Sequence, residues 1–347
     1  MLSNLSSNVV LAKARAMYGR RLTPQNYQEL LACRSVSEIA AYLKSRTSYG
    51  RILSGINEND IHRGRLESLL RQRVFEDCAS LCRYEISVGE HFSQYLLERA
   101  EIEQIIHSVS HLMAGSPEEY LFNMPEYLNR HTRIDLMALG RIKSFDDLLQ
   151  AVARTPYHSL LQRFRPAAGQ PLDYFGIEKA LYQYLYSQVF SIIQKSTHGE
   201  TQRELYELFN AYIDIQNYTY IVRLKFNYHS GPDFIRSSLL PFGTLRERHI
   251  DALLEAETPQ KAREALEKTS LGKRIRNVDA SEFLMTRVEY LICRHKIRFS
   301  THPVVVMLSY VFLMEIELHD ITNIIEGIRY QVPSDEIASL LTVLNSI

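Results

Sequence analysis

The stretch at 314–330 reads MEIELHDITNIIEGIRY and places two acids three positions apart inside an apolar helical pattern. Side chains three apart share one face of a helix, so this pair predicts a polar spot on an apolar surface. An acid followed three positions later by an amide or acid occurs three times, and successive copies start 113 and 103 residues apart. The pairs are Glu101 with Gln104, Asp214 with Asn217, and Glu317 with Asp320. A step near one third of the 347-residue chain predicts three copies of one helical unit.

Other markers keep the same order along the chain. A threonine ends an apolar helical run in each copy, at Thr47, Thr155 and Thr269. Eleven or twelve positions earlier lies a residue that suits a helix N-cap, namely Ser35, Ser144 or Thr258. This order divides the chain into helical units at 1–120, 121–235 and 236–347, with approximate boundaries that allow units to exchange helices.

Composition favours a folded protein built from helices. The chain is 46% hydrophobic and 23% charged, without a low-complexity run. Apolar residues recur at spacings of three and four in nearly every segment, whereas alternating stretches are scarce and no Asn-Gly or Asp-Gly hairpin signal occurs. We therefore predict an all-α fold of three units related by pseudo-threefold symmetry.

Charge and apolar-run length exclude several classes of protein. Forty basic residues balance forty acidic ones, so no overall field attracts nucleic acid or anionic lipid. The most apolar run, Val304–Met314, has eleven residues, and a membrane-spanning helix needs about twenty. The run therefore predicts a buried core helix.

The N-terminal segment is basic. Residues 1–27 contain no acid but carry Lys13, Arg15, Arg20 and Arg21, which faintly resembles a transit peptide. The apolar residues of this segment recur near helical spacing, which favours an amphipathic first helix instead.

No sequence motif assigns an active site. The chain lacks a P-loop and a dinucleotide fingerprint, so we predict no cofactor and no enzymatic activity. Two histidine arrangements leave alternatives: His107 and His111 with Glu103 have the spacing of a metal-binding face, and His319 beside Asp320 has the core of an all-α metal-dependent phosphohydrolase. His319 and Asp320 occupy positions of the repeat, which favours divergence of a structural repeat over a catalytic pair.

Two acid-bearing helices end in basic residues, Arg223 and Arg329, which suit a helix C-terminus. We favour a structural role in which each acid bonds a neighbouring helix end. The residues predicted as repeat signatures and as lining of a central cavity are Glu101, Gln104, Asp214, Asn217, Arg223, Glu317, Asp320 and Arg329.

The combined pattern resembles the central-stalk C subunit of V/A-type ATP synthases, which is called the d subunit in eukaryotic vacuolar ATPases. The matching stretches are 314–330, 214–225 for the family's middle copy, and 15–49 for its N-terminal unit. The resemblance covers almost the whole chain. The third unit departs from the pattern, because Leu271 stands where the first two have Tyr49 and Tyr157.

The resemblance implies a funnel of three helical lobes with a polar central cavity and no catalytic site. Such a protein lies on the cytoplasmic face of the membrane, receives the D and F subunits of the central stalk, and rests on the membrane rotor ring. As an adaptor it couples ATP hydrolysis or synthesis to proton or sodium transport. The resemblance implies membrane contact only through the ring, no nucleic acid, and a monomer when isolated.

Two alternative interpretations stay open. A helical-repeat scaffold for another partner predicts an open solenoid with polar terminal caps. The hydrolase interpretation predicts a bound metal that is lost on His319→Ala.

Overall fold

The computed structural model describes residues 2–85, 88–116, 119–167, 169–275 and 284–346. Every regular element within these ranges is helical, and they contain no β-strand. The all-α prediction is confirmed.

The α-helices of the described residues are, in chain order, α1 (Leu2–Tyr18), α2 (Pro24–Leu31), α3 (Val36–Arg46), α4 (Arg63–Cys82), α5 (Gly89–Ala114), α6 (Glu119–Asn123), α7 (Leu136–Leu139), α8 (Phe145–Ala151), α9 (Tyr157–Leu161), α10 (Tyr174–Ser196), α11 (Gly199–Val222), α12 (Pro232–Ser238), α13 (Glu247–Glu255), α14 (Pro259–Glu267), α15 (Gly272–Ile275), α16 (Leu284–Phe299), α17 (Pro303–Arg329) and α18 (Ser334–Leu340). Short 3₁₀ turns lie at Ser48–Arg51, Glu58–Asp60, Glu126–Arg130, Gln162–Phe164 and Leu344–Ser346, and a π-helical turn extends α11 at Arg223–Asn227.

Contacts divide the chain into two compact units. Unit 1 comprises Met1–Tyr174 and Cys293–Ile347, and unit 2 comprises Phe175–Ile292. Unit 1 therefore combines the first and last parts of the chain, and the second boundary falls inside α16. The division into three units at 1–120, 121–235 and 236–347 stays a prediction.

The core of unit 1 is organised around α17. Every residue of Val304–Met314 is buried, as predicted for a core helix. Helices α1, α4 and α18 pack against α17, because a helix that is apolar on all sides needs neighbours on all sides. None of the described helices combines the length and apolar character that a membrane crossing requires.

The predicted helix caps are formed. The side-chain oxygens of Ser35, Ser144 and Thr258 accept the amide three positions on, at 3.1, 3.2 and 3.2 Å. Each satisfies one of the amides that a helix start leaves without an intrahelical acceptor. The three short helices α3, α8 and α14 therefore begin at the positions that the sequence pattern indicates.

Unit 2 has a half-buried aromatic contact between α10 and α11. The ring of Phe190 stacks on that of Tyr206 with centroids 5.7 Å apart, and lies 5.2 Å from the ring of Phe242. On the same helix as Phe190, apolar residues that include Leu181 and Leu185 are fully buried. Large flat rings bury much apolar area, so these contacts help to hold α10 and α11 together.

Gly327 allows α18 to pack closely on α17, and its substitution tests this contact. A Cβ at position 327 would lie 2.5 Å from two side-chain atoms of Ile337, which is 1% exposed. We expect Gly327→Ala to lower the free energy of unfolding by about 1–3 kcal/mol through overpacking, although Gly→Ala within a helix ordinarily raises it by about 0.5–1 kcal/mol. Urea denaturation measures the change.

The matched control is Gly55→Ala, because a Cβ there meets no atom within 4 Å. Combining Gly327→Ala with Ile337→Val should recover part of the loss. A Gly327→Ala protein as stable as wild type would contradict the close approach of the two helices.

Candidate functional site

The third acid of the repeat, Glu317 on α17, binds a segment from the N-terminal part of the chain. Its side chain lies in the core and the residue is 2% exposed. Oε2 accepts the backbone amide of Leu22 at 2.8 Å, and Oε1 accepts the hydroxyl of Tyr49 at 2.9 Å. Leu22 leads into α2 and Tyr49 follows α3, so this carboxylate holds both ends of the α2–α3 segment against α17.

The first acid, Glu101 on α5, has an equivalent set of partners. Oε1 accepts the hydroxyl of Thr132 at 2.6 Å, and Oε2 accepts the hydroxyl of Tyr157 at 2.8 Å. Thr132 precedes α7 and Tyr157 begins α9. Glu101 therefore holds the α7–α9 segment as Glu317 holds the α2–α3 segment.

The second acid, Asp214 on α11, binds the chain in unit 2 without a tyrosine. Its two oxygens accept the amide of Thr244 at 2.7 Å and the hydroxyl of the same residue at 2.5 Å. Gly243 has φ +98°, and a Cβ there would lie 2.2 Å from the carboxylate, so only glycine fits this approach. At the position equivalent to Tyr49 and Tyr157 this unit has Leu271, which has no hydroxyl group. The hydroxyl donor to Asp214 is that of Thr244 instead.

One arrangement thus occurs around each acid: a buried carboxylate accepts bonds from the start of another helical segment and from a hydroxyl. Each acid thus bonds a residue that precedes another helix by two to four positions, namely Leu22, Thr132 or Thr244. Sequence reasoning missed the donors Tyr49 and Tyr157. Their shared position, two residues after Thr47 and Thr155, was the signal that could have identified them. Buried carboxylates need such donors because an unbonded buried charge is strongly destabilising.

The second members of the pairs differ in their contacts. Asp320 is 0% exposed and accepts the amides of Thr342 and Val343 at 2.8 and 2.7 Å. Asn217 donates to the carbonyl of Leu240 at 3.1 Å and accepts its amide at 2.9 Å. Both fix the backbone of the chain that follows their own helix. Gln104 instead lines a cavity, described below.

Burial shifts the pKa of three of the repeat acids, Glu317, Asp214 and Asp320. It raises the pKa of Glu317 and of Asp214, because removal from water disfavours the charged form, while their hydrogen bonds act in the opposite direction. Burial raises the pKa of Asp320 to about 7, against the opposing effect of the bonds from Val343 and Thr342. The nearby charge of Glu317 also acts to raise the pKa of Asp320.

Arg223 and Arg329 lie exposed at the ends of their helices. The guanidinium of Arg223 lies 5.5 Å from the ring centroid of Tyr228, and that of Arg329 lies 5.3 Å from the ring centroid of Tyr330. Both arginines therefore sit at helix C-termini, as predicted. Lining of a central cavity by the predicted residues stays a prediction.

The side chains of His319 and Asp320 lie in different surroundings. His319 lies on the exposed side of α17, with Nδ1 3.3 Å from the amide nitrogen of Asn323. The carboxylate of Asp320 is occupied by two backbone amides in the core. Within the described ranges, no three His, Cys, Asp or Glu side chains form a group that could hold a metal ion. The geometry therefore gives no support to the hydrolase interpretation.

A cavity of about 360 Å³ lies in unit 1 among α4, α5 and α17. Its walls combine apolar side chains with charged ones, and the charged residues include Arg71, Arg99, Glu103 and Glu315. His107 and His111 also line it, without forming a metal-binding group in the described part of the chain.

An ion-pair network fixes one wall of this cavity. Arg99 lies 2.7 Å from a carboxylate oxygen of Glu315 and 3.3 Å from one of Glu103. Burial raises the pKa of Glu315, and the charge of Arg99 opposes the rise. Arg71 is exposed on the cavity and has no carboxylate within ion-pair distance among the described residues. Its charge is therefore open to a partner.

Comparison with known proteins gives relatives of this sequence. The family described as ATP synthase (C/AC39) subunit matches residues 10–340. The chain is 25% identical over 319 residues to the C subunit of the A-type ATP synthase from Pyrococcus abyssi, covering 88% of this chain and 81% of the relative. It is 22% identical over 340 residues to the protein of the same name from Pyrococcus furiosus, covering 95% and 88%. For that of Archaeoglobus fulgidus the identity is 21% over 345 residues, covering 96% of both chains.

Removing the tyrosine hydroxyl tests the anchoring role of Glu317. We expect Tyr49→Phe to lower the free energy of unfolding by about 1–3 kcal/mol, because a buried acceptor loses its donor. Tyr84→Phe is the matched control, since Tyr84 is 45% exposed. A double-mutant cycle with Glu317→Gln measures the coupling, and a coupling energy of zero would show that the hydroxyl and carboxylate do not interact.

Asp320 makes stability depend on pH. Its folded-state pKa of about 7 exceeds the value near 3.9 of an exposed aspartate, so the folded protein holds the proton more tightly than the unfolded chain. The stabilising contribution is complete below about pH 4 and is lost as the pH rises through about 7. We expect this group to lower the free energy of unfolding by up to about 1.4 kcal/mol per pH unit in that interval, and Asp320→Asn to remove this dependence.

Urea denaturation of wild type and Asp320→Asn at pH 5, 6, 7 and 8 measures the effect. Asp214 contributes in the same direction in both proteins, so the difference between the two reports Asp320 together with its coupling to Glu317. The exposed Asp233→Asn is the control. A wild-type-minus-variant difference that does not change with pH would contradict the raised pKa.

Proposed function

The chain belongs to the ATP synthase (C/AC39) subunit family, and from this membership we propose that it joins the central stalk of a rotary ATPase to the membrane rotor ring. It is a non-catalytic subunit of an ATP synthase complex, and its partners are other subunits of that complex. On the stalk side the proposed partners are the D and F subunits. The proposed place is the cytoplasmic face of the membrane, with membrane contact only through the ring.

The observation that carries this proposal is the family match across residues 10–340, which spans both compact units. A match of that extent concerns the whole architecture. The coverage of 96% of the Archaeoglobus fulgidus relative and of this chain supports the same conclusion, because neither chain has a large extra segment in the alignment.

The buried acids suit a part that transmits force. A coupling protein has to carry torque between stalk and ring without yielding at its internal joints. The carboxylates of Glu101, Asp214 and Glu317 each join a long helix to another segment by hydrogen bonds. Buried charge-assisted hydrogen bonds are short and strong, so such joints resist displacement.

We further propose that these joints mark three repeat units arranged as a funnel, with helices exchanged between units. Support comes from sequence separation: Glu101 binds a residue 31 positions later, and Asp214 binds one 30 positions later. For Glu317 the corresponding segment begins at Leu22, in the N-terminal part of the chain. In this arrangement the N-terminal segment completes the third unit.

The cavity of unit 1 is the proposed point of contact with the stalk. Its exposed Arg71 supplies a positive charge beside apolar walls, a combination that suits a helix end bearing acidic residues. The ion pairs of Arg99 hold the wall in place while Arg71 faces the partner.

The test uses the D–F pair of the same source on a sizing column, followed by the detergent-solubilised ring. We expect a stoichiometric complex with D–F that then binds the ring. Arg71→Glu should weaken the D–F association about tenfold or more, because repulsion replaces attraction at the contact. Arg154→Glu is the control, an exposed arginine outside the cavity. Failure of a folded wild-type chain to associate with either partner would refute the proposed function.

A further inference from the structure

A second cavity in unit 1, of about 630 Å³, has a basic lining that the proposed adaptor role does not explain. It lies between α1, α4 and the Ser48–Arg51 turn. The cations that line it are Lys13, Arg20, Arg51, Arg73 and Arg83, and the acids are Glu76 and Asp77. We refer to this cavity as the basic groove.

Both acids of the basic groove already have cationic or hydroxyl partners. Glu76 lies 3.6 Å from Arg51, and Asp77 lies 3.5 Å from Arg73. Asp77 also accepts the hydroxyl of Tyr310 at 2.8 Å. The acids therefore balance two of the cations and leave the others uncompensated.

Three cations of the groove have no carboxylate within ion-pair distance in the described part of the chain: Lys13, Arg20 and Arg83. Lys13 donates to the hydroxyl of Ser80 and lies 4.3 Å from the ring centroid of Tyr84. These contacts orient the ammonium group without neutralising it. The groove therefore keeps a net positive charge.

Arg73 is the buried cation of the basic groove. The residue is 7% exposed, and its guanidinium lies 4.1 Å from the ring centroid of Tyr49. Its Nη1 is buried and has no hydrogen-bond partner among the described residues. The guanidinium therefore keeps one unused donor beside its contacts with Asp77 and the ring of Tyr49.

We propose that the basic groove binds a multiply charged, phosphate-bearing anion. Guanidinium groups offer paired N–H donors that match phosphate oxygens, and Arg20, Arg73 and Arg83 line one cavity. Ser48 and Ser80 add hydroxyl groups to the same lining. The volume falls within the range of small-molecule sites, and the charge density exceeds what a single carboxylate would balance. This also gives a role to the basic character of residues 1–27.

The site does not depend on the proposed adaptor role, so it is tested on the isolated chain. Calorimetric titration with inorganic triphosphate at low salt measures binding. We expect saturable binding to wild type, weakened about tenfold or more in Arg20→Ala/Arg83→Ala, because charge-assisted bonds are lost. Arg34→Ala/Arg154→Ala removes the same charge from exposed positions outside the groove and should change affinity less than about twofold. Circular dichroism checks that all variants are folded.

A second arm separates a soluble ligand from a lipid headgroup. Flotation with phosphatidylcholine vesicles, with and without a phosphoinositide, measures membrane binding of the same variants. Triphosphate binding that requires Arg20 and Arg83 assigns a soluble anion, and phosphoinositide-dependent flotation that requires them assigns a headgroup. Absence of both, equal weakening in the two double variants, or binding only to a poly-glutamate peptide overturns the proposal.

Discussion

The carboxylate of Glu317 sets the constraint on which unit 1 depends. A charged group in the core is tolerated only if donors replace its lost water. The donors come from Leu22 and Tyr49, which lie 295 and 268 positions away in the sequence. Satisfying one buried group therefore brings the N-terminal and C-terminal parts of the chain together, and a large part of the packing around α17 follows from that requirement.

The same helix also fixes the chain that follows it. One turn beyond Glu317, the carboxylate of Asp320 accepts the backbone amides of Thr342 and Val343. Farther along α17, Gly327 allows α18 to pack closely on the helix. α17 is thus apolar where it is surrounded by helices and polar at the two places where chain segments end. Its polar residues determine which segments meet, whereas its apolar residues supply most of the burial energy.

Much of this could be predicted from sequence, because helical spacing and capping are local properties. The repeated acid pairs, the caps at Ser35, Ser144 and Thr258, and the core position of Val304–Met314 needed only short windows of sequence. The partner of each acid could not be predicted in this way. Neither Tyr49 nor Thr244 is marked by its spacing from the acid it binds, and the cations of the basic groove come from separate segments that only the fold brings together.

The departure at Leu271 shows what the repeated joint requires. The joint at Asp214 has no tyrosine hydroxyl among its donors, and its acid is one methylene shorter than glutamate. Gly243 lets the backbone approach the carboxylate, so that Thr244 supplies both an amide and a hydroxyl. Two residue types differ, yet the carboxylate still has donors of both kinds. The common element is therefore the chemistry of the joint rather than any one residue. For the proposed role of a non-catalytic subunit that transmits force, the requirement is a rigid connection between segments and not the identity of a reacting group. A joint that keeps its bonds while its residues differ meets that requirement.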